Sequence, residues 1–252
     1  MLKIEKISID FEGYEALKDI DMEVEKGKVT ALIGPNGAGK TTLFNIIAGV
    51  HKPSSGRIIF EGQDITGKKP YEICDLGITR TYQIIKLFTK MSVIDNVLVG
   101  MHTKNETSIF DDFFHTKKMR ETEKKSHEKA CRLLEQFGLL EYKDITAGNL
   151  SYGQQRLLEI TRALASDPKL ILLDEPAAGM NASEKVELNK RIREIIDMGV
   201  TVLLVEHDMS LVMNVADVIY VLDAGTNLAN GTPEQIANSQ AVIEAYLGRG
   251  DN

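Results

Sequence analysis

Polar and apolar residues alternate over Lys3-Ile-Glu-Lys-Ile-Ser-Ile9 and again over Ile20-Asp-Met-Glu-Val24, with Gly13 and Gly27 marking turns. That period of two predicts half-exposed strands in an antiparallel sheet ahead of residue 29. Val29–Ile33 breaks the alternation with an uninterrupted, partly β-branched run, read as a buried strand, and Thr41–Ile47 reads as a helix. Beyond the turn Pro53-Ser-Ser-Gly56, a short strand over Arg57–Glu61, one or two helical turns over Pro70–Asp75 and a strand over Gly77–Gln83 follow. From Met91 to about Asn149 the pattern is mostly helical, clearest over Ser92–Val99 and Glu121–Phe137, with Gly138 as the C-cap of the second helix.

A helix opening at Ser151 carries Leu157, Ile160, Thr161 and Leu164 on its apolar face, and Leu170–Asp174 is a buried strand. A helix over Ala182–Met198 leads into a strand over Thr201–His207. Strands at Val218–Leu222 and Thr226–Asn230 and two short helices finish the chain, without internal repeats or low-complexity tracts. Buried strands alternating with helices place the chain in the α/β class.

The stretch Gly34-Pro-Asn-Gly-Ala-Gly-Lys-Thr-Thr42 sits between the buried strand and the helix, the setting a phosphate-binding loop requires. Glycines let backbone N–H groups turn toward phosphate oxygens, and the helix N-terminus adds positive dipole. Lys40 reaches β- and γ-phosphates and the Thr41 hydroxyl is a ligand for Mg²⁺.

Given that loop, the adjacent carboxylates Asp174 and Glu175 at the end of an apolar run gain a purpose, because acids there are costly unless they serve a cation or water. Asp174 is the expected Mg²⁺ carboxylate and Glu175 the group that polarises attacking water. Gln83, ending its strand, could ligate Mg²⁺ or orient water. Ser151-x-x-Gln154 reads as a capping box, and the same helix start exposes N–H groups that make a second anion site. His207 ends a third strand as a γ-phosphate donor, since ligands gather at the carboxyl ends of parallel strands. Phe11 and Tyr14, in the first turn, are edge-of-core aromatics or an adenine-stacking platform.

At 252 residues with a net charge of −7, the chain can bury a sizeable core and lacks the basic surface of a general nucleic-acid binder. Cys74 and Cys131 show neither metal nor redox spacing, which suits a reducing cytoplasm. The N-terminus, with charges between its apolar residues, does not read as a signal peptide, and no run approaches the roughly 18 apolar residues of a membrane span. Lys117–Lys129 carries six Lys/Arg against three Glu and reads as a solvated helix face, with docking to an acidic lipid surface or a partner as the sharper alternative. Before it, His102–Thr116 has no clear period and two phenylalanine clusters, Phe110 and Phe113-Phe114.

Taken together, these motifs resemble the ATP-binding-cassette (ABC) ATPase subunits in order and spacing over essentially the whole chain. Gly34–Thr41 matches the Walker A loop, Gln83 the glutamine loop, Leu150-Ser-Tyr-Gly-Gln154 the signature and Leu170–Asp174 with Glu175 the Walker B strand and its acid. His207 matches the switch histidine, and Phe11, nine residues before Ile20, the adenine-stacking aromatic. The resemblance implies a P-loop NTPase core with an antiparallel β-subdomain (1–84 and 151–252) and a helical subdomain (85–150). It implies ATP and Mg²⁺ as cofactors and two subunits that sandwich ATP head to tail, each loop (Gly34, Pro35, Asn36, Gly37, Ala38, Gly39, Lys40, Thr41, Thr42) facing Ser151, Gly153 and Gln154 of the other chain. It further implies integral membrane permease partners, no nucleic acid, and a peripheral place on the cytoplasmic face of the membrane.

Tyr152 replaces the signature's first glycine and Asn181 an aspartate that usually follows Walker B. Both variants, with Gly77-Ile-Thr-Arg-Thr-Tyr-Gln83, Glu175-Pro-Ala-Ala-Gly-Met-Asn181 and the long Val99–Arg120 stretch, are similar to the ATPase subunits of branched-chain amino acid importers. Lipopolysaccharide-export ATPases resemble the core but usually lack that stretch, and soluble ABC clamps carry coiled coils, tandem cassettes or basic surfaces that are missing here.

Overall fold

The computed structural model describes residues 1–101 and 117–247, with the side chains of 117–120 and 247 left aside. The Phe110 and Phe113–Phe114 clusters therefore lie outside the described residues. The chain forms two compact units, Met1–Arg80 with Lys169–Asn252, and Thr81–Pro168. The second is wider than the 85–150 stretch that the resemblance implied, because the helix starting at Tyr152 packs with the preceding helices.

In the first unit, β1 (Leu2–Phe11), β2 (Tyr14–Val24), β4 (Ser55–Phe60) and β5 (Gln63–Asp64) form an antiparallel sheet in the order β2-β1-β4-β5. The expected alternation is visible in its burial, with Leu2, Ile4, Ile7 and Ile9 inside. A second sheet has the order β10-β9-β3-β8-β7-β6, built from β3 (Val29–Ile33), β6 (Ile78–Arg80), β7 (Leu170–Asp174), β8 (Thr201–Val205), β9 (Val218–Asp223) and β10 (Thr226–Gly231). All its pairs are parallel except β9 with β10. Strands β3, β7 and β8 are buried at every position, which is why they read as apolar runs without alternation.

Helices α1 (Lys40–Ile47) and α2 (Pro70–Asp75) belong to this unit, and Leu43, Phe44 and Ile47 of α1 join both sheets in one core with Leu32, Leu172 and Leu203. The second unit holds α3 (Val93–Gly100), α4 (Lys117–Gln136) and α5 (Tyr152–Leu164) around Val93, Val97, Leu133, Leu134, Phe137 and Leu158. Gly138, at φ +69°, ends α4 in the left-handed conformation the sequence suggested. On α4 the exposed Lys124 and Lys125 fit a solvated face, while Lys129 Nζ donates to Asp167 at 2.6 Å. Among the described residues no helix is long and apolar enough to cross a membrane.

Three strands differ from expectation in ways that bear on the site or the sheet edge. The strand foreseen as Gly77–Gln83 stops at Arg80, because the carbonyls of Tyr82 and Gln83 accept from the Arg156 guanidinium (2.7 Å each), leaving no ladder to extend. Gln83 thus lies in an exposed loop of the second unit instead of ending a strand. Strand β8 stops at Val205, two residues before His207, where Glu206 takes up the following N–H groups. Strand β4 begins at Ser55 and ends at Phe60, since Gly56, at φ +83°, lets the backbone run close beside Lys6 of β1.

Helices α6 (Ala182–Asp197), α7 (Met209–Val215), α8 (Pro233–Ala237) and α9 (Gln240–Leu247) complete the first unit. Asp208 caps α7 by accepting from Ser210 and Leu211 N–H and receives Lys185 Nζ at 2.6 Å. Chiefly through that Lys185 hydrogen bond, its carboxyl is held below the ordinary aspartate value.

Leu203→Ala, in the centre of β8 and fully buried, is expected to cost about 2–5 kcal/mol, read as a lower urea midpoint at unchanged slope. The lowered Asp208 pKa adds stability in full above the unfolded value of about 3.9, and this contribution fades as pH falls through the folded value. Asp208→Asn should therefore lose less stability than the wild type as the pH falls below the unfolded aspartate value of about 3.9. Parallel acid limbs in urea titrations would contradict this.

Candidate functional site

Parallel register decides what meets at the carboxyl edge of the second sheet. Val205 of β8 lies beside Leu32 of β3 on one side and Asp174 of β7 on the other, so the three strands end level. The chain leaving each end contributes, in turn, the glycine-rich loop, Glu175 and Glu206-His207.

The loop is shaped by contacts that only glycine permits. A Cβ on Gly34 would sit 2.1 Å from the Leu222 carbonyl oxygen, and one on Gly39, at φ +96°, 2.4 Å from Leu17 Cδ2. Gly39 is the N-cap of α1, and among the described residues no side chain caps that helix and no acid stands in its first turn. Its leading N–H groups therefore face the cleft as anion donors. Lys40 is buried, and its Nζ donates to the Gly34 and Pro35 carbonyls at 2.6 and 3.0 Å. Burial pushes the ammonium below its ordinary pKa, with the Glu175 carboxylate pulling the other way. The cleft over the loop is lined by Tyr14, Ala16, the run from Asn36 to Thr42 and Glu175.

Asp174 is only 3% exposed. Its Oδ2 accepts from Arg80 NH2 at 2.6 Å, while Arg80 NH1 donates to Asn45 Oδ1 on α1, also at 2.6 Å. Glu175 takes the left-handed conformation, φ +45°, and its N–H donates to Val205 O at 2.9 Å. This sharp turn after β7 puts its carboxylate on the cleft wall, 3.8 Å from His207 Nδ1.

Behind them lies Glu206, 1% exposed, whose carboxylate accepts from the N–H groups of Ala177 (2.8 Å), His207 (3.0 Å) and Asp208 (3.2 Å). Three N–H donors compensate a charge that burial would otherwise penalise heavily. The clamp fixes the turn after Glu175 against the turn that carries His207.

Ser151, Gly153 and Gln154 belong to the second unit. Ser151 and Gln154 form the capping box of α5, with Gln154 N–H donating to Ser151 Oγ at 3.3 Å and Ser151 N–H to Gln154 Oε1 at 2.9 Å. Gly153 is buried, and Tyr152, at the first signature glycine, sends its hydroxyl to within 3.4 Å of Arg156 NH2. Arg156 is fully buried, pairs with Glu159 at 2.9 Å and, by holding the Tyr82 and Gln83 carbonyls, ties the glutamine loop to the signature helix. In the first unit, Asn181 is the N-cap of α6 and accepts from Glu184 N–H at 3.0 Å.

Phe11 lies outside the cleft wall, its ring edge-on to His51 at 5.4 Å, whereas its cross-strand neighbour Tyr14 lines the cleft. Arg80, Asn45, Glu206 and Arg156 were not singled out by the sequence. The one sign available was the presence of charged residues (Arg80, Glu206) at or just beyond the ends of apolar strands.

The donors fit a hard divalent cation in company with phosphates, namely one buried carboxylate, Asp174, and the Thr41 hydroxyl. Among the described residues no cluster of three or more His, Cys, Asp or Glu forms an all-protein metal cage, so a cation here would share its coordination with substrate.

Comparison with known proteins agrees with this geometry. The profile of the ABC transporter family matches residues 17–178, and that of the branched-chain amino acid ATP-binding cassette transporter matches residues 226–252. The high-affinity branched-chain amino acid transport ATP-binding protein LivG of Escherichia coli (strain K12) is 43% identical over 249 residues, covering 98% of each chain. BraF of Pseudomonas aeruginosa, of the same description, is 41% identical with the same coverage. A crystal structure of a nucleotide-free ATP-binding cassette from an ABC transporter superposes with a TM-score of 0.86 at 38% identity, over 100% of this chain and 99% of that one. An ADP conformation of another such cassette gives a TM-score of 0.86 at 36% identity, over 99% of each. With its glycine-rich loop, Asp174, Glu175 and His207 gathered at one strand edge, and with full-length similarity to these cassettes, the chain belongs to the ABC transporter family as a nucleotide-binding ATPase.

Proposed function

We propose that this chain powers an importer of branched-chain amino acids by hydrolysing ATP. The observation that carries the hydrolytic part is the meeting of Glu175 and His207 beside the glycine-rich loop, 3.8 Å apart. The solute class is supported by the 43% identity to LivG over 98% of both chains and by the match of residues 226–252.

In this reading the N–H groups from Gly37 to Thr42 receive the phosphates, and Lys40 leaves the Gly34 and Pro35 carbonyls for the β- and γ-phosphate oxygens. Glu175 accepts the proton of the attacking water, and His207 donates to the γ-phosphate as charge moves onto the bridging oxygen. Asp174, Thr41 and Gln83 would hold Mg²⁺, which when bound would offset negative charge on the phosphates.

Ser151, Gly153 and Gln154 complete the anion site of a second copy, so hydrolysis requires two subunits. Permease subunits receive the work through the helical unit, which places the protein on the cytoplasmic face of the membrane. A polypeptide without a membrane-crossing helix among its described residues needs such partners to act on transport.

Glu175→Gln should lower ATP turnover by about a hundredfold or more while leaving ATP binding intact, so that ATP-dependent dimers accumulate in sedimentation runs. Hydrolysis near the wild-type rate would remove Glu175 from the base role. Phe11→Ala should raise the ATP Kd by about tenfold through lost adenine stacking. An unchanged Kd, with the loss found instead in Tyr14→Ala, would move the stacking role to Tyr14. Purification from native membranes should recover integral membrane permeases, and recovery with ribosomes or DNA would overturn the transport reading.

A further inference from the structure

We propose that Arg80 is a stand-in cation: its guanidinium compensates the buried Asp174 carboxylate whenever the divalent ion is away, and competes with that ion for the same group. The inference deepens the nucleotide reading given above and rests on it. Asp174 is 3% exposed, and a carboxylate so placed needs a counter-charge or several N–H donors.

Lys40, the other cation of the loop, is directed to the Gly34 and Pro35 carbonyls. Arg80 NH2 instead meets Asp174 Oδ2 at 2.6 Å, from a side chain itself only 10% exposed. Its position is set on both flanks. Arg80 pairs in register with Leu172 of β7, two residues before Asp174. NH1 donates to Asn45 Oδ1, and the guanidinium carbon stands 5.8 Å from the centroid of the Phe44 ring, both residues lying on the helix that starts at Lys40.

The fork therefore bridges the metal carboxylate and the phosphate-loop helix. A rigid planar guanidinium can do this where a lysine ammonium, a point charge on a flexible stem, would serve only one partner well. Arg80 is also the last residue of the first unit, one position before Thr81, where the second begins.

The test is a Mg²⁺ titration of the full-length protein with a fluorescent ATP analogue, with thermal unfolding measured alongside in EDTA. Arg80→Met removes the competing charge and should tighten Mg²⁺ binding by about tenfold, while lowering the melting temperature in EDTA. Arg80→Gln, which removes the charge but keeps a polar side chain at the site, should shift Mg²⁺ affinity in the same direction and guards against a misfolded methionine variant. Arg80→Lys keeps the charge and should stay near the wild type.

Unchanged or weaker Mg²⁺ binding in both neutral variants, with a wild type that responds normally to Mg²⁺, overturns the stand-in role alone. A wild type that binds the analogue no better with Mg²⁺ than with EDTA overturns the stand-in and the nucleotide reading together.

Discussion

Parallel pairing about β3 is the constraint from which the site follows. In register with β8, and through β8 with β7, the central strand ends level with its neighbours, so three chain exits open on one edge. Each exit must leave an apolar sheet and turn within one or two residues. The chain manages this with Gly34, with Glu175 in a left-handed conformation and with the N–H-binding carboxylate of Glu206. The glycine-rich loop, Glu175 and His207 lie on these exits, Asp174 at the tip of β7 and Lys40 and Thr41 on the helix that follows the first.

That geometry concentrates charge where water is scarce. Asp174 and Glu206 are buried acids, and each is compensated differently, the first by a guanidinium and the second by three backbone donors. The distinction has a functional sense. An ion pair with a side chain can be exchanged for a metal, whereas backbone donors are fixed by the fold and suit a structural acid. Glu175, on the cleft wall and within reach of His207, stays nearer solvent.

Much of this was legible in the sequence because it is local. The glycine-rich loop, the acids after Leu173 and the capping box at Ser151 are each encoded within a few consecutive residues, and so are the apolar runs of β3, β7 and β8. What escaped were the partners. Arg80 and Asp174 are 94 positions apart, and Arg156 and Tyr82 are 74 apart. A buried arginine looks in sequence like any charged residue on a helix. The strand foreseen through Gln83 failed for the same reason, since the group that captures its carbonyls comes from a distant helix. Phe11 and Tyr14 show a further limit, because a hairpin sets two aromatics side by side and only the tertiary structure tells which borders the cleft.

The Glu206 carboxylate makes the tips of β7 and β8 a single mechanical piece. Its oxygens grip Ala177 on one side and His207 and Asp208 on the other, so a displacement of either turn is carried to its neighbour. The turns that follow Glu175 and carry His207 are therefore tied to one carboxylate, and substitutions in the Pro176–Ala178 bend should propagate to the imidazole without touching it. Variation that tunes one of the two groups alone has little room here, and paired changes across the two turns are the route left open to it.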